Sequence, residues 1–206
     1  TAESFKSSKY VQMLQEVSPE LSSQNPESLQ LTALPQLEMI IRMGREQTPG
    51  MLNFDDVCIR GSEENYDELA KLKNILLPDD AINIQFTSGT TGTPKGATLT
   101  HCNIVNNAYL SAKAMRFDET DKLCIPVPLY HCFGMVLGTL LCVTTGATAI
   151  FPSAAFDPMQ ALKTIEEYGC TGLHGVPTMF INELELANFS EYNLSSLRTG
   201  IMAGAS

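Results

Sequence analysis

The stretch "FTSGTTGTPKGATLTH", Phe86–His101, crowds glycines, hydroxyl side chains and a single lysine into one short span. The residues before it, "INIQFT" (Ile82–Thr87), alternate and are β-prone, which predicts a strand. The residues inside its far end, "GATLT", predict a second, short strand, and His101–Met115 predicts a helix capped by Thr100 or His101. Strand, glycine-rich loop and helix in succession are the parts of a phosphate-binding loop. The Walker A spacing G-x-x-x-x-G-K-[ST] is not met, because Pro94 precedes Lys95 and Gly96 stands where a magnesium-binding hydroxyl belongs. The dinucleotide pattern G-x-G-x-x-G also fails, because Gly89 and Gly92 lack a leading G-x-G. A polyphosphate clamp is still physically available. Gly89 and Gly92 let the backbone turn successive N–H groups toward one anion. Thr87, Ser88, Thr90, Thr91 and Thr93 offer hydroxyls, Lys95 a mobile cation, and Pro94 a stiffened approach to it. The competing reading is an ordinary Ser/Thr/Gly hairpin turn. Donor density, the preceding apolar strand and the lysine favour the clamp.

Outward from the loop, strands and helices alternate. "KLCIPVP", "ATAIF", "GCTGLHG" and "LRTGIMAG" read as strands. Between them "FGMVLGTLLCVTTG", "DPMQALKTIEEYG" and "VPTMFINELEL" read as helices, the second with Asp157 as N-cap and Pro158 at the first helical position. Such alternation predicts an α/β fold, a parallel or mostly parallel sheet with helices on both faces. Ligands of these sheets bind beyond the carboxyl ends of the strands, which singles out Gly89, Gly134, Gly175 and Gly204. On the N-terminal side, Ala2–Val17 predicts an amphipathic helix and Pro19–Leu31 a loop. Leu37–Met43 predicts a buried strand, Thr48–Gly50 a turn, and "EENYDELAKLKNIL" after Ser62 a capped helix.

Composition narrows the function classes. Thirteen basic against 23 acidic residues give a net charge of −10, which argues against sequence-independent nucleic-acid binding. The six cysteines show no CxxC spacing and sit mostly among apolar residues, the pattern of reduced core thiols in an intracellular, reducing compartment. No apolar run is long enough to span a bilayer. The missing initiator Met and the ending "IMAGAS" are read as cut ends, so the 206 residues are expected to be a piece of a longer protein.

Thr87–Gly96 followed by a strand and "TH" resembles the signature phosphate loop of the adenylate-forming superfamily: acyl-CoA synthetases, peptide-synthetase adenylation domains and luciferases. "PLYHCFGMVLGTL" (Pro128–Leu140), "GVPTMFINEL" (Gly175–Leu184) and "RTGIMAGAS" resemble later motifs of the same superfamily, in the same order. Among its branches, the mitochondrial medium-chain acyl-CoA synthetases are the most similar. The resemblance implies that residues 1–206 are part of the large N-terminal AMP-binding domain, with the phosphate loop at 87–96 and the C-terminal domain absent. It implies a ligase that activates a fatty acid or other small carboxylate with ATP as acyl-AMP, releases pyrophosphate, and passes the acyl group to coenzyme A.

The same resemblance assigns residues. Thr87, Ser88, Gly89, Thr90, Thr91, Gly92, Thr93, Pro94 and Lys95 would hold the phosphates, with Thr91 the magnesium ligand. Lys95 and His131 would be catalytic, His131 near the substrate carboxylate; a helix-capping histidine is the plainer alternative. Phe133, Gly134, Met135, Gly138, Val176 and Met179 would line an acyl tunnel, and Gly204 would pass the adenine and the acyl group. Gly134 and Gly138, one helical turn apart, would leave room beside their helix. His101 reads as a helix cap and His174 as a buried, satisfied core residue. The mitochondrial matrix is implied by the resemblance alone. A carrier-protein-loading adenylation domain and a non-catalytic nucleotide-binding module stay as alternatives.

Overall fold

The computed structural model describes residues 1–87 and 92–204, which fall into two compact units, Thr1–Ile75 and Leu76–Ser206. In the first unit, helix α1 (Tyr10–Val17) and a 3₁₀ turn at Pro19–Ser23 pack Val11 and Leu21 with Leu29, Leu31, Ile40 and Met51. The unit also holds a short parallel pair, β1 (Ile41–Arg42) with β2 (Leu52–Asn53), and helices α2 (Phe54–Cys58) and α3 (Glu63–Leu72). The helix predicted from Ala2 begins only at Tyr10, because the preceding backbone is spent elsewhere. Phe5 and Ser8 exchange backbone hydrogen bonds around Lys6 at φ 53°, and Met43 N–H donates to the Thr1 carbonyl. The strand predicted over Leu37–Met43 shrinks to two residues, since Leu37 N–H closes a turn on Leu34 and Glu38 accepts from Leu29. The turn at Thr48–Gly50 forms, with Met51 N–H on the Thr48 carbonyl at 3.1 Å. Gly50 is required there. Its φ is +78°, and a Cβ would lie 2.0 Å from the Leu21 carbonyl oxygen. Ser62 caps α3, its N–H donating to Asn65 Oδ1 at 2.7 Å.

The second unit carries the site. Strands β3 (Ala81–Thr87) and β4 (Lys95–Thr100) pair antiparallel and form a two-stranded sheet of their own, closed at Thr87 opposite Lys95. Residues 88–94 are too few for the crossover that a parallel pair needs. Helix α4 (His101–Met115) follows β4 without a linker. The predicted cap resolves in favour of Thr100: its Oγ1 accepts from Asn103 N–H at 3.2 Å, and Asn103 Oδ1 accepts from Thr100 N–H at 2.9 Å. His101 is instead the first helical residue, its N–H directed to the Asp80 carbonyl at 3.3 Å.

The remaining strands are β5 (Lys122–Cys124), β6 (Thr148–Ile150), β7 (Gly172–Gly175) and β8 (Thr199–Met202). They form an all-parallel sheet in the order β6-β5-β7-β8. The connections are helical. After β5 come α5 (Cys132–Gly134), a π-helical turn (Met135–Leu140) and α6 (Leu141–Thr145). After β6 comes α7 (Pro158–Tyr168), and after β7 comes α8 (Pro177–Leu184). Neighbouring residues of β5 point to opposite sheet faces, so their partners reveal the layers. Leu123 packs with Phe133, Leu141 and Cys142, whereas Cys124 packs with Leu162 and Ile165 of α7. Helices therefore cover both faces, the three-layer α/β arrangement that the alternation predicts. Asp157 Oδ1 caps α7 through Gln160 N–H at 2.9 Å. All cysteines of the described residues are free thiols, and no described helix is long and apolar enough to cross a membrane.

At the amino ends of these strands, Asp121 ties three elements. Its carboxylate accepts from the Arg198 guanidinium, from Thr171 Oγ1 at 2.6 Å and from Asp118 N–H at 2.9 Å. Arg198 also donates to the Met115 and Arg116 carbonyls at 3.2 and 2.7 Å, at the end of α4. Burial pushes the Asp121 carboxyl up, but the Thr171, Arg198 and Asp118 donors together hold it below the usual carboxylate value.

Candidate active site

Thr87 and Lys95 face each other where the hairpin opens, and Thr87 Oγ1 lies 3.5 Å from the Lys95 carbonyl oxygen. Both side chains are exposed, as are Thr93 and Pro94. Gly92 takes φ +98°, a left-handed conformation that glycine reaches without strain, and among the described residues none lies within 4 Å of where a Cβ would stand. Ser88, Gly89, Thr90 and Thr91 lie outside the described residues, and the magnesium assignment to Thr91 lies there with them. Among the described residues no group of three or more His, Cys, Asp or Glu could hold a metal. A magnesium ion carried on a polyphosphate needs only one or two protein ligands, so the chemistry of the loop fits one.

His131 stands at the N-cap of α5, where its Nδ1 accepts the Phe133 N–H at 3.1 Å. The plainer capping role is therefore real, and it has a chemical consequence. With Nδ1 occupied as an acceptor, neutral His131 carries its proton on Nε2 and presents a donor. Gly134 and Gly138 bring the helical segment onto the chain that follows β5, residues 125–128, rather than leaving room beside it. A Cβ at Gly134 would lie 2.3 Å from the Pro128 carbonyl oxygen, and one at Gly138 would meet Ile125 Cγ2 at 3.0 Å. Phe133 is buried in the core with Val176 and Met179 packed nearby. Gly204, at φ +89°, sits so close to Val176 that a Cβ would touch its Cγ1 at 3.1 Å.

A cleft of about 390 Å³ opens on the other side of this helical segment. Its walls are Leu99 at the end of β4, Asn103, Ile104 and Asn107 on α4, and Cys132, Val136 and Leu137 after His131. None of these residues is among the site residues expected from sequence. The one available signal was Asn103 and Asn107 four apart on a helix, a spacing that solvated helix faces also show. The structure thus gathers two groups. The hairpin, α4 and the cleft belong to one; Phe133, Val176, Met179 and Gly204 belong to the other.

His174 is fully buried, stacks on Phe133 of the second group and is satisfied as expected. Its Nδ1 accepts Ile201 N–H at 3.2 Å, and its Nε2 lies 3.0 Å from the Leu137 carbonyl oxygen. Burial holds its pKa below the usual histidine value. Glu183 on α8 is also buried, and burial pushes its carboxyl up to about 7. Burial likewise pushes the Cys142 thiol up to about 11, so it is an unreactive core group.

An antiparallel hairpin flanking a glycine-rich stretch, and a three-layer α/β scaffold with a histidine at the N-cap of α5, are the features of an adenylate-forming enzyme domain. The AMP-binding enzyme family matches residues 6–206, and the chain belongs to that family. The chain is 46% identical over 203 residues to the putative acyl-CoA synthetase YngI of Bacillus subtilis, covering 98% of this chain and 37% of the relative. It is 43% identical to the mitochondrial medium-chain acyl-CoA ligase ACSF2 of Danio rerio, covering 98% of this chain and 33% of that protein. Among solved structures, the anthranilate CoA ligase AuaEII in complex with anthranoyl-AMP superposes with a TM-score of 0.70 at 28% identity, over 84% of this chain and 33% of the other. ATP-bound MatB from Rhodopseudomonas palustris gives 0.57 at 29% identity, over 63% and 25%. The chain therefore spans about a third of the length of the curated relatives it matches.

Proposed function

We propose that the full-length protein is an ATP-dependent acyl-CoA ligase acting on a medium-chain fatty acid, and that this chain is part of its large N-terminal domain. One observation supports the reading: the two ends of the Thr87–Gly96 signature pair as an antiparallel hairpin, Thr87 opposite Lys95 with Lys95 exposed, in a chain of the AMP-binding family. A carboxylate is a poor acyl donor because its leaving group would be an oxide. Esterification to the α-phosphate of ATP replaces that leaving group with AMP. The carboxylate oxygen bonds to phosphorus as the bond to pyrophosphate breaks, and negative charge builds on the departing oxygens. Lys95 and the hydroxyls of the loop stabilise that charge. When bound, magnesium would share this neutralisation, with Thr91 its proposed ligand. His131, offering Nε2–H, orients the substrate carboxylate. In the second step the coenzyme A sulfur bonds to the acyl carbon and AMP leaves.

The cleft beside Leu137 is the proposed seat of the acyl chain. Its apolar walls of Leu99, Ile104, Val136 and Leu137 suit an alkyl group. On the vertebrate relatives, the proposed compartment is the mitochondrial matrix, which cell fractionation checks. The functional test is carboxylate-dependent ATP–pyrophosphate exchange, followed by acyl-CoA formation, with straight-chain acids from butanoate to hexadecanoate. Exchange should peak at intermediate chain length. Absence of exchange with every acid would defeat the proposal.

A further inference from the structure

His174 lies outside the motif that carries the phosphates, yet its ring is engaged on three sides. Ile201 N–H donates to Nδ1, so the proton sits on Nε2 and is directed at the Leu137 carbonyl oxygen, 3.0 Å away. The ring face stacks on Phe133, with centroids 5.6 Å apart and planes 27° from parallel. Leu137 belongs to the π-helical turn at Met135–Leu140. There the Leu141 N–H, the ordinary α-helical partner of the Leu137 carbonyl, goes to Val136 and Gly138 instead. The imidazole supplies a donor where the widened turn has redirected one. π-Helical turns are rare and concentrate at functional sites. Leu137 and its neighbour Val136 are walls of the cleft. At its other end the same ring grips β8, the strand that leads to Gly204.

We propose that His174 is a positioning residue for the acyl site: through the Leu137 carbonyl it fixes the π-helical turn, and with it the shape and length of the cleft. A leucine would fill the same volume. Only a group with one donor and one acceptor, aimed at two different elements, holds Leu137 and Ile201 in register with each other. The proposal rests on the acyl-ligase reading and extends it to selectivity.

The test uses the full-length protein with His174→Asn and His174→Gln. The Asn amide reaches the Nδ1 position, so it keeps the Ile201 bond and loses Leu137. The Gln amide reaches the Nε2 position and keeps Leu137. Loss of that one directed bond should raise the KM for octanoate about tenfold in His174→Asn and shift the preferred chain length, with the KM for ATP within about twofold. His174→Gln should stay within about threefold for octanoate. A merely structural histidine would move both KM values together or neither, and either result overturns the proposal. Should the Asn variant not fold, ¹⁵N-histidine spectra of the unmodified protein decide. Saturating octanoate should move the His174 Nε2 resonance; a resonance that stays fixed overturns the role. Unmodified protein that neither binds octanoate nor exchanges pyrophosphate removes the ligase reading itself. Normal exchange with unaltered selectivity in both variants removes only the role of His174.

Discussion

The β3–β4 hairpin and the four-stranded parallel sheet draw on similar strand-forming residues and meet opposite surroundings. Ile84 and Phe86 of β3 are 59% and 68% exposed, whereas Leu123 and Cys124 of β5 are at 0%. Within β3 the polar alternates are the more buried ones. The side-chain oxygens of Asn83 and Gln85 are shielded from solvent and have no hydrogen-bond partner among the described residues. The sheet is held from both faces, and its polar groups are matched. The hairpin is held mainly by its base. Stability and chemistry are thereby separated: the sheet can lose stability without reshaping the loop, and the loop can lose its charge without unfolding the sheet.

Breaking the sheet side should give the largest effect. Asp121→Ala removes the carboxylate that Arg198, Thr171 and the Asp118 N–H share and should destabilise the full-length protein by about 3 kcal/mol, read from denaturant unfolding. Lys95→Ala probes the opposite side. Adenylate formation should fall about a hundredfold, equivalent to about 2.7 kcal/mol in the barrier, with an unchanged unfolding midpoint. A large fall in stability would show that the separation is wrong. Glu183 sharpens the comparison through pH. Its folded pKa of about 7 exceeds its ordinary 4.5, so the folded state holds the proton more tightly. Its contribution is complete below pH 4.5, declines as pH rises and is lost above about 7. Glu183→Gln should therefore stabilise by about 2 kcal/mol at pH 8 and by almost nothing at pH 4.5, measured by unfolding at both values. His174 runs the other way: its lowered pKa makes stability fall as pH drops below about 6.5. The smallest effect is expected at Arg116, the left-handed C-cap of α4 at φ 56°. Arg116→Gly should gain about 0.5 kcal/mol, visible as a small rise in Tm.

Signals confined to a few residues were legible in the sequence. Asp157 with Pro158 and Ser62 before α3 each determine their own local geometry and cap the helices the sequence assigns to them, and the strands on either side of the glycine-rich stretch form as the sequence predicts. Features that depend on distant partners were not. Gly134 and Gly138 announce a need for small residues, but only the fold reveals that Pro128 and Ile125 occupy the space. The N-terminal segment has helical spacing from Ala2 onward, yet its backbone groups find partners across the unit, and the helix starts late. No residue pattern foretells the π-helical turn, because its widened hydrogen bonding is stabilised from outside by His174. The cleft has no sequence signature for a related reason. Its walls come from two segments far apart in the chain, residues 99–107 and 132–137, neither conspicuous alone.

The junction at Thr100 has a mechanical consequence. β4 ends there and α4 begins at the next residue, while the N–H groups of His101 and Cys102 bind the carbonyls of Asp80 and Pro78, just before β3. Both legs of the hairpin are thus bolted to the first turn of one helix. The six residues of β4 make a lever arm about 20 Å long, so a tilt of about 3° at the bolt displaces the tip by about 1 Å. A misplacement of that size is enough to cost a reaction about two orders of magnitude. The aim of the hairpin is therefore set far from its tip, by the bonds of the His101 and Cys102 N–H groups to Asp80 and Pro78 together with the Thr100–Asn103 cap that starts the helix.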